Sequence, residues 1–262
     1  MYGSSVAITI GVQVIPQHGD YESMKRAWLE ADELGADRIY NWDHFFPLSG
    51  NPNGKHFESM TIQAAMASLT KRAQISSLVN CNSYRNPQLL ADMARTIDHI
   101  SGGRYVLGIG SGWFQKDYAE YGYEFGTAGS RLRDLERALP LIKQRWAKLN
   151  PPPLHRIPIL IGGSGEKVTL RLVAEHADEW HTFGDPETMR HKCAVLEDWC
   201  SKVGRDPKEI VRSTSITRLD GERRNPEQYL DLGVTDFVVS VQGPDWDLAP
   251  LRQALAWRDS LN

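Results

Sequence analysis

QISSLVNCNSYRNPQLLADMARTIDHISGGRYVLGIGS, residues 74–111, reads as one strand–helix–strand unit. Its ends, 74–81 and 104–111, are short runs; the apolar 104–109 suits a strand covered on both faces. Between them Leu89, Leu90, Met93, Ala94, Ile97 and Ile100 recur at helical spacing and predict one buried face. The same alternation continues outward. Strand-like runs fall at 6–15, 37–43, 157–163, 179–184, 209–217 and 236–242, with amphipathic stretches between them. Met24, Ala27, Trp28, Ala31 and Leu34 share a face of the first helix, and Leu248, Leu251 and Leu255 lie on the last. Eight strands alternating with eight helices in 262 residues is the arithmetic of an α/β protein of the (β/α)8 TIM-barrel kind, with 1–262 as a single domain. A doubly wound sheet would need fewer strands and a glycine-rich turn after the first; Gln13, Pro16 and Gln17 stand there instead.

Composition narrows the classes. The chain is 41% hydrophobic and 24% charged with a formal net charge of -3, which suits a globular protein and disfavours a disordered chain or a nucleic-acid partner held by charge. No segment has the roughly 18 uninterrupted apolar residues of a membrane span. MYGSSVAITIGVQV (1–14) lacks the basic start of a secretory signal, and no lipidation motif is present. The three cysteines, Cys81, Cys193 and Cys200, show neither a disulfide framework nor metal spacing, so the expectations are a reducing, cytoplasmic setting and no metal.

In a barrel, chemistry collects where strands end. Asp43 and His44 close the second run. His is the usual acid/base near neutrality, and the adjacent carboxylate could hold one tautomer or turn away to cap the loop. GIGSGW (108–113) brings glycines to the end of the fourth run, where backbone N–H groups could approach a ligand or simply make a tight turn. GGSGEK (162–167) opens a helix and suits a phosphate, with Ser164 either donating to the anion or capping the helix. Glu166 weakens that reading unless it points outward. Trp42 and Trp113 could stack on a planar ligand or fill the barrel mouth. His181 is either a ligand contact or a hydrogen-bonded core histidine. Residues 112–129 (GWFQKDYAEYGYEFGTAG) form a long aromatic loop of the kind that serves as a lid. The helix 130–149 behind it carries Pro140 and stops at Pro151, Pro152 and Pro153.

Three stretches together resemble the luciferase-like flavin and deazaflavin oxidoreductase superfamily: ADRIYNWDHFFP (36–47), SLVNCNSYRNPQLLADMARTIDHISGGRYVLGIGSGW (77–113) and PILIGGSGEKVTLRLVAEHADEW (158–180). The flavour is that of the branch using the deazaflavin coenzyme F-420, common in actinobacteria. The resemblance implies a barrel with the coenzyme at its C-terminal mouth and a small-molecule substrate. It implies an acid/base at His44 with Asp43 beside it. A strand bulge, often with a non-prolyl cis peptide, would fall at Ser77-Leu78 and back the ring, with Asn80 near it. Phosphate contacts would fall on Ser111, Gly112, Gly162, Gly163, Ser164 and Gly165, while Lys167 or Arg85 could attract a polyanionic tail. Trp113 and Trp42 would meet substrate. Dimers are frequent in the superfamily, so a homodimer is admitted.

Two departures stand out. Trp113 replaces the catalytic Glu of the sugar-phosphate dehydrogenases, which favours a hydrophobic substrate. The insertion after strand 4 is shortened, since the chain runs straight from Trp146 to Pro151 where relatives carry some twenty more residues. Two alternatives stay open: an FMN-dependent monooxygenase on the same fold, and a barrel that binds a flavin-like ligand without turning it over.

Overall fold

The computed structural model describes residues 7–217 and 223–261; residue 6 of the first expected strand lies outside the described residues. All eight expected strands form, most of them trimmed by one to three residues at an end. They are β1 (Thr9–Ile15), β2 (Arg38–Asn41), the pair β3 (Gln74–Ser77) and β4 (Asn80–Cys81), β5 (Leu107–Gly110), β6 (Ile159–Gly162), β7 (Glu179–Thr182), β8 (Val211–Ser215) and β9 (Val234–Gln242). Every pairing is parallel, in the order β3-β2-β1-β9-β8-β7-β6-β5-β4. β3 and β4 are two halves of one barrel strand, parted at Leu78-Val79. β3 pairs with β2, β4 pairs with β5, and a bridge from Ile75 to Tyr105 brings the lower half round to close the ring.

The helices are α1 (Tyr21–Leu34), α2 (Ser59–Leu69), α3 (Pro87–Ser101), α4 (Gln115–Tyr121), α5 (Ala128–Trp146), α6 (Thr169–His176), α7 (Pro186–Val203), α8 (Glu227–Leu230) and α9 (Ala249–Ser260). α4 corrects the reading of 112–129 as loop: its acidic first turn and the glycine that ends it at Gly122 give a short helix its boundaries. On α3 the buried face is also turned from the expected one. Leu90, Ala91, Ala94, Ile97, Asp98 and Ser101 are buried, whereas Leu89 is 55% exposed and Ile100 is exposed too. Asp98 faces inward because it accepts from the Leu154 N–H, which anchors the shortened connection after α5. Pro140 is accommodated inside α5.

Two cores result. The larger lies between strands and helices; a smaller one inside the ring holds Tyr40, Val106, Leu160 and Val238, with Leu78 and Val79 packed above. The alternation of strands also turns Arg38, Glu179 and Asp236 inward. Arg38 bonds Glu179, and Asp236 accepts from Thr9 Oγ1 at 2.7 Å and Tyr40 Oη at 3.2 Å. A closed charged floor therefore plugs one end of the barrel and leaves the other for chemistry.

Candidate active site

The mouth holds a cavity of about 330 Å³ lined by the strand ends, at the small end of the range for small-ligand sites, about 300–1,000 Å³. Its back wall is the break between β3 and β4. The cis peptide is Leu78-Val79, one residue beyond the Ser77-Leu78 position expected. Ser77 is buried beneath, and Leu78 and Val79 line the cavity. Gln13 Nε2 donates to the Leu78 carbonyl at 3.3 Å, and Leu78 N–H donates to Asn41 O at 3.0 Å. Asn80 is fully buried at the cavity edge, donating to Gly108 O at 2.9 Å and accepting from Gln63 Nε2 at 2.9 Å. The break packs so tightly that a Cβ on Gly110 would sit 2.7 Å, and one on Gly162 2.9 Å, from Val79 methyls. Those two glycines are required by the bulge.

β2 delivers Asp43 and His44 to the same mouth, facing different partners. Asp43 is fully buried. It accepts from Arg85 at 2.6 and 3.0 Å and from the Cys81 N–H at 2.8 Å. Arg85 also bonds Glu58, which caps α2. The carboxylate beside His44 in the sequence is thus a clamp joining the β2 loop to β4. The carboxylate beside it in space is Asp117 of α4, 2.7 Å from His44 Nδ1. Asp117 also accepts from Tyr84 Oη at 2.9 Å and from the Phe45 N–H at 3.1 Å. Nothing in the sequence singled out Asp117. Its only signal was an acidic residue in an aromatic segment beyond a strand end, 73 positions from His44.

The two tryptophans part company. Trp113 is 62% exposed, lines the cavity and meets the His44 ring edge-on at 5.7 Å. Trp42 is buried behind His44, its ring 5.6 Å away and its Nε1 donating to His56 Nε2 at 2.9 Å. It props the imidazole from outside the cavity. Burial holds His56 down at about 4.

Ser111, Gly112, Gly162, Gly163 and Ser164 line the cavity, with Phe183 at the rim. Gly165 lies beyond the lining and accepts from Leu170 N–H. The Gly163 N–H is taken by the His181 carbonyl at 3.0 Å, which leaves an anion at this turn to Ser164 and Gly165. Ser164 does not cap α6, whose cap position is Val168. Glu166 turns outward to Lys192 and His191 of α7, and these hydrogen bonds hold its carboxyl below the usual range. Lys167 is exposed beside it. Arg85 bonds Asp43 and Glu58 and is not part of the cavity lining.

His181 lines the cavity through a hydrogen-bonded ring: Nδ1 is 2.8 Å from Ser213 Oγ and Nε2 is 3.3 Å from Ser215 Oγ. Burial pushes it down to about 4, so it is neutral. Among the described residues the lining contains no Lys or Arg, no group of His, Cys, Asp and Glu is arranged to hold a metal, and no helix is long and apolar enough to cross a membrane. Cys81, Cys193 and Cys200 are free and buried.

Comparison with known proteins finds a family and neighbours of the same fold. The family model described as luciferase-like monooxygenase matches residues 1–225. An uncharacterised Mycobacterium tuberculosis protein is 30% identical over 209 residues, covering 73% of this chain and 70% of the relative. An F420-dependent glucose-6-phosphate dehydrogenase of Amycolatopsis mediterranei is 29% identical over 157 residues, 53% of this chain and 47% of its own. Among solved structures, an F420-dependent secondary alcohol dehydrogenase in complex with an F420-acetone adduct superposes with a TM-score of 0.81 at 16% identity, covering 93% of this chain and 96% of that one. At that identity the likeness is one of fold.

Proposed function

The chain belongs to the luciferase-like monooxygenase family, and within it we propose an oxidoreductase that moves a hydride between coenzyme F-420 and a small, hydrophobic, uncharged organic substrate. One observation carries this reading: an imidazole, His44, opens onto a cavity with an apolar back wall, an aromatic rim and no lining cation. A flat ring fits the Leu78 and Val79 wall, and the hydroxyls of Ser111 and Ser164, with the turn 162–165, fit the phosphate side. The naming of relatives as F420-dependent supports the same coenzyme.

When bound, the deazaflavin supplies hydride exchange with little oxygen reactivity. The rest falls to this chain. Leu78 and Val79 seat the ring, Trp113 and Phe183 shield the substrate from water, and His44 Nε2 takes the hydroxyl proton when an alcohol is oxidised or returns it when a carbonyl is reduced. A phosphosugar would find no lining cation here, and the family resemblance puts Trp113 at the position of a carboxylate in the sugar-phosphate dehydrogenases.

Titration of tryptophan fluorescence with F-420 and with FMN tests the reading. The expected result is tighter binding of the deazaflavin, weakening as salt rises because Lys167 lies near the phosphate turn. Turnover in His44→Ala should fall by about 10²–10⁴-fold with coenzyme affinity little changed. A yellow protein purified with FMN would overturn the reading in favour of a monooxygenase. Binding without turnover of any acceptor would leave a carrier.

A further inference from the structure

The imidazole at the mouth has two nitrogens in opposite surroundings. His44 Nδ1 lies 2.7 Å from Asp117 Oδ2, while Nε2 has no hydrogen-bond partner among the described residues and His44 lines the cavity. Asp117 is itself fully buried. Its Oδ2 also accepts from Tyr84 Oη, and its Oδ1 accepts from the Phe45 N–H. Both other partners are donors. Burial, with Cys81 and Asp117 adding, pushes the Tyr84 phenol far up, so it keeps its proton and donates. An ionised carboxylate only accepts, which decides where the His44 proton sits.

We propose that Asp117 is the positioning residue of the site: it holds His44 in the Nδ1–H tautomer and leaves Nε2 as the atom that exchanges a proton with substrate. This rests on the reading of His44 as acid/base. The fold supports the arrangement from three sides. Lys116 of α4 donates to Pro52 O at 2.8 Å, tying the helix to the loop after β2. Arg131 of α5 donates to Gly112 O at 3.1 Å and Phe125 O at 2.8 Å, pinning both ends of the α4 segment. The rings of Trp42, Trp113 and Phe114 meet His44 edge-on at 5.5–5.7 Å. The carboxylate is therefore built into the frame and aimed at one nitrogen, as second-sphere carboxylates are when they set a histidine's tautomer. The other titratable groups near the ring are accounted for. His56 is neutral behind Trp42, Asp43 is bound to Arg85, and Cys81 and Tyr118 share a contact at 3.3 Å, with both groups pushed up by burial.

Asp117→Asn is near-isosteric and tests this directly. Its amide must place oxygen towards one donor and –NH₂ towards another. With the oxygen on the Phe45 N–H, the –NH₂ faces His44 Nδ1 and the ring proton moves to Nε2. Histidine-ring ¹⁵N spectra of the ligand-free protein, with His44 assigned through His44→Ala, should show the Nδ1–H form in the wild type and the Nε2–H form in the variant. Turnover should fall by about 10²–10⁴-fold with KM little changed, and Asp117→Glu should recover part of the loss. A wild-type Nε2–H ring, or an Asn variant with wild-type tautomer and turnover, would overturn the proposal. The ring spectrum needs no turnover. If His44→Ala proves fully active, the acid/base reading fails while the tautomer result still decides the role of Asp117.

Discussion

Trp113 and Phe183 are large apolar side chains left more than half exposed at a functional rim. Each leans edge-on against a histidine of the lining, Trp113 on His44 and Phe183 on His181 at 5.2 Å. Such exposure loses hydrophobic stabilisation unless a ligand covers the rings. The site thus offers apolar area to a substrate and no charge to an anionic one. Trp113→Ala should raise KM for a hydrophobic alcohol or enone by about tenfold, about 1.4 kcal/mol of lost contact. kcat should change much less, because Trp113 carries no proton. Steady-state kinetics check this: a fall in kcat with KM unchanged would place Trp113 in the chemistry instead. Efficient oxidation of glucose 6-phosphate by the wild type would contradict the substrate class.

α4 shows what a single sequence conceals. The barrel was legible because strand-like runs and helical spacing recur eight times, and chain connectivity then assigns strand ends to one mouth. His44, the glycine turns and Trp113 were legible by the same positional rule. Asp117 was not, because its importance arises from a contact between segments joined only by folding. Asp43 was misleading for the complementary reason: beyond the end of β2 the chain turns its carboxylate to Arg85 and the Cys81 N–H, while the ring of His44 meets Asp117, so the neighbour in sequence is not the neighbour in space. The break in the third strand lies one residue beyond the expected bond, since Ser77, Leu78 and Val79 carry no local mark of which bond is cis. What holds α4 is also non-local. Gly112 has φ +79°, and a Cβ there would meet Tyr118 Oη at 2.0 Å and Cys81 Sγ at 2.5 Å. Gly112→Ala should therefore destabilise the protein by about 1–3 kcal/mol. It should also lower turnover, because displacing Tyr118 moves the adjacent Asp117. Thermal melts and turnover of the variant check both effects; wild-type values for both would mean that α4 yields without moving His44.

The barrel as a whole is polar at both ends of its lumen and apolar between. Arg38, Glu179 and Asp236 close the floor, Tyr40, Val106, Leu160 and Val238 fill the middle, and His181 with Ser213 and Ser215 supports the mouth. Burying the His181 ring ties stability to pH. Desolvation lowers it from 6.5 to about 4, so between those values the unfolded chain binds a proton that the native barrel refuses. Unfolding then takes up protons, and stability falls as pH drops. The contribution is fully present above pH 6.5 and is lost progressively towards pH 4, on the order of 3 kcal/mol in all. His56, also held at about 4 by burial, acts in the same direction. Glu179, raised by burial despite Arg38, acts in the opposite one, so the wild-type slope alone does not isolate His181. His181→Asn keeps a polar partner for the two serines and removes the titration. Its melting temperature should fall less than the wild type's between pH 7 and pH 4.5, by roughly 5–10 °C for a protein of this size. Parallel pH curves would mean that the mouth admits water and a proton to His181, and that this end of the barrel is wetter than its hydrogen bonds imply.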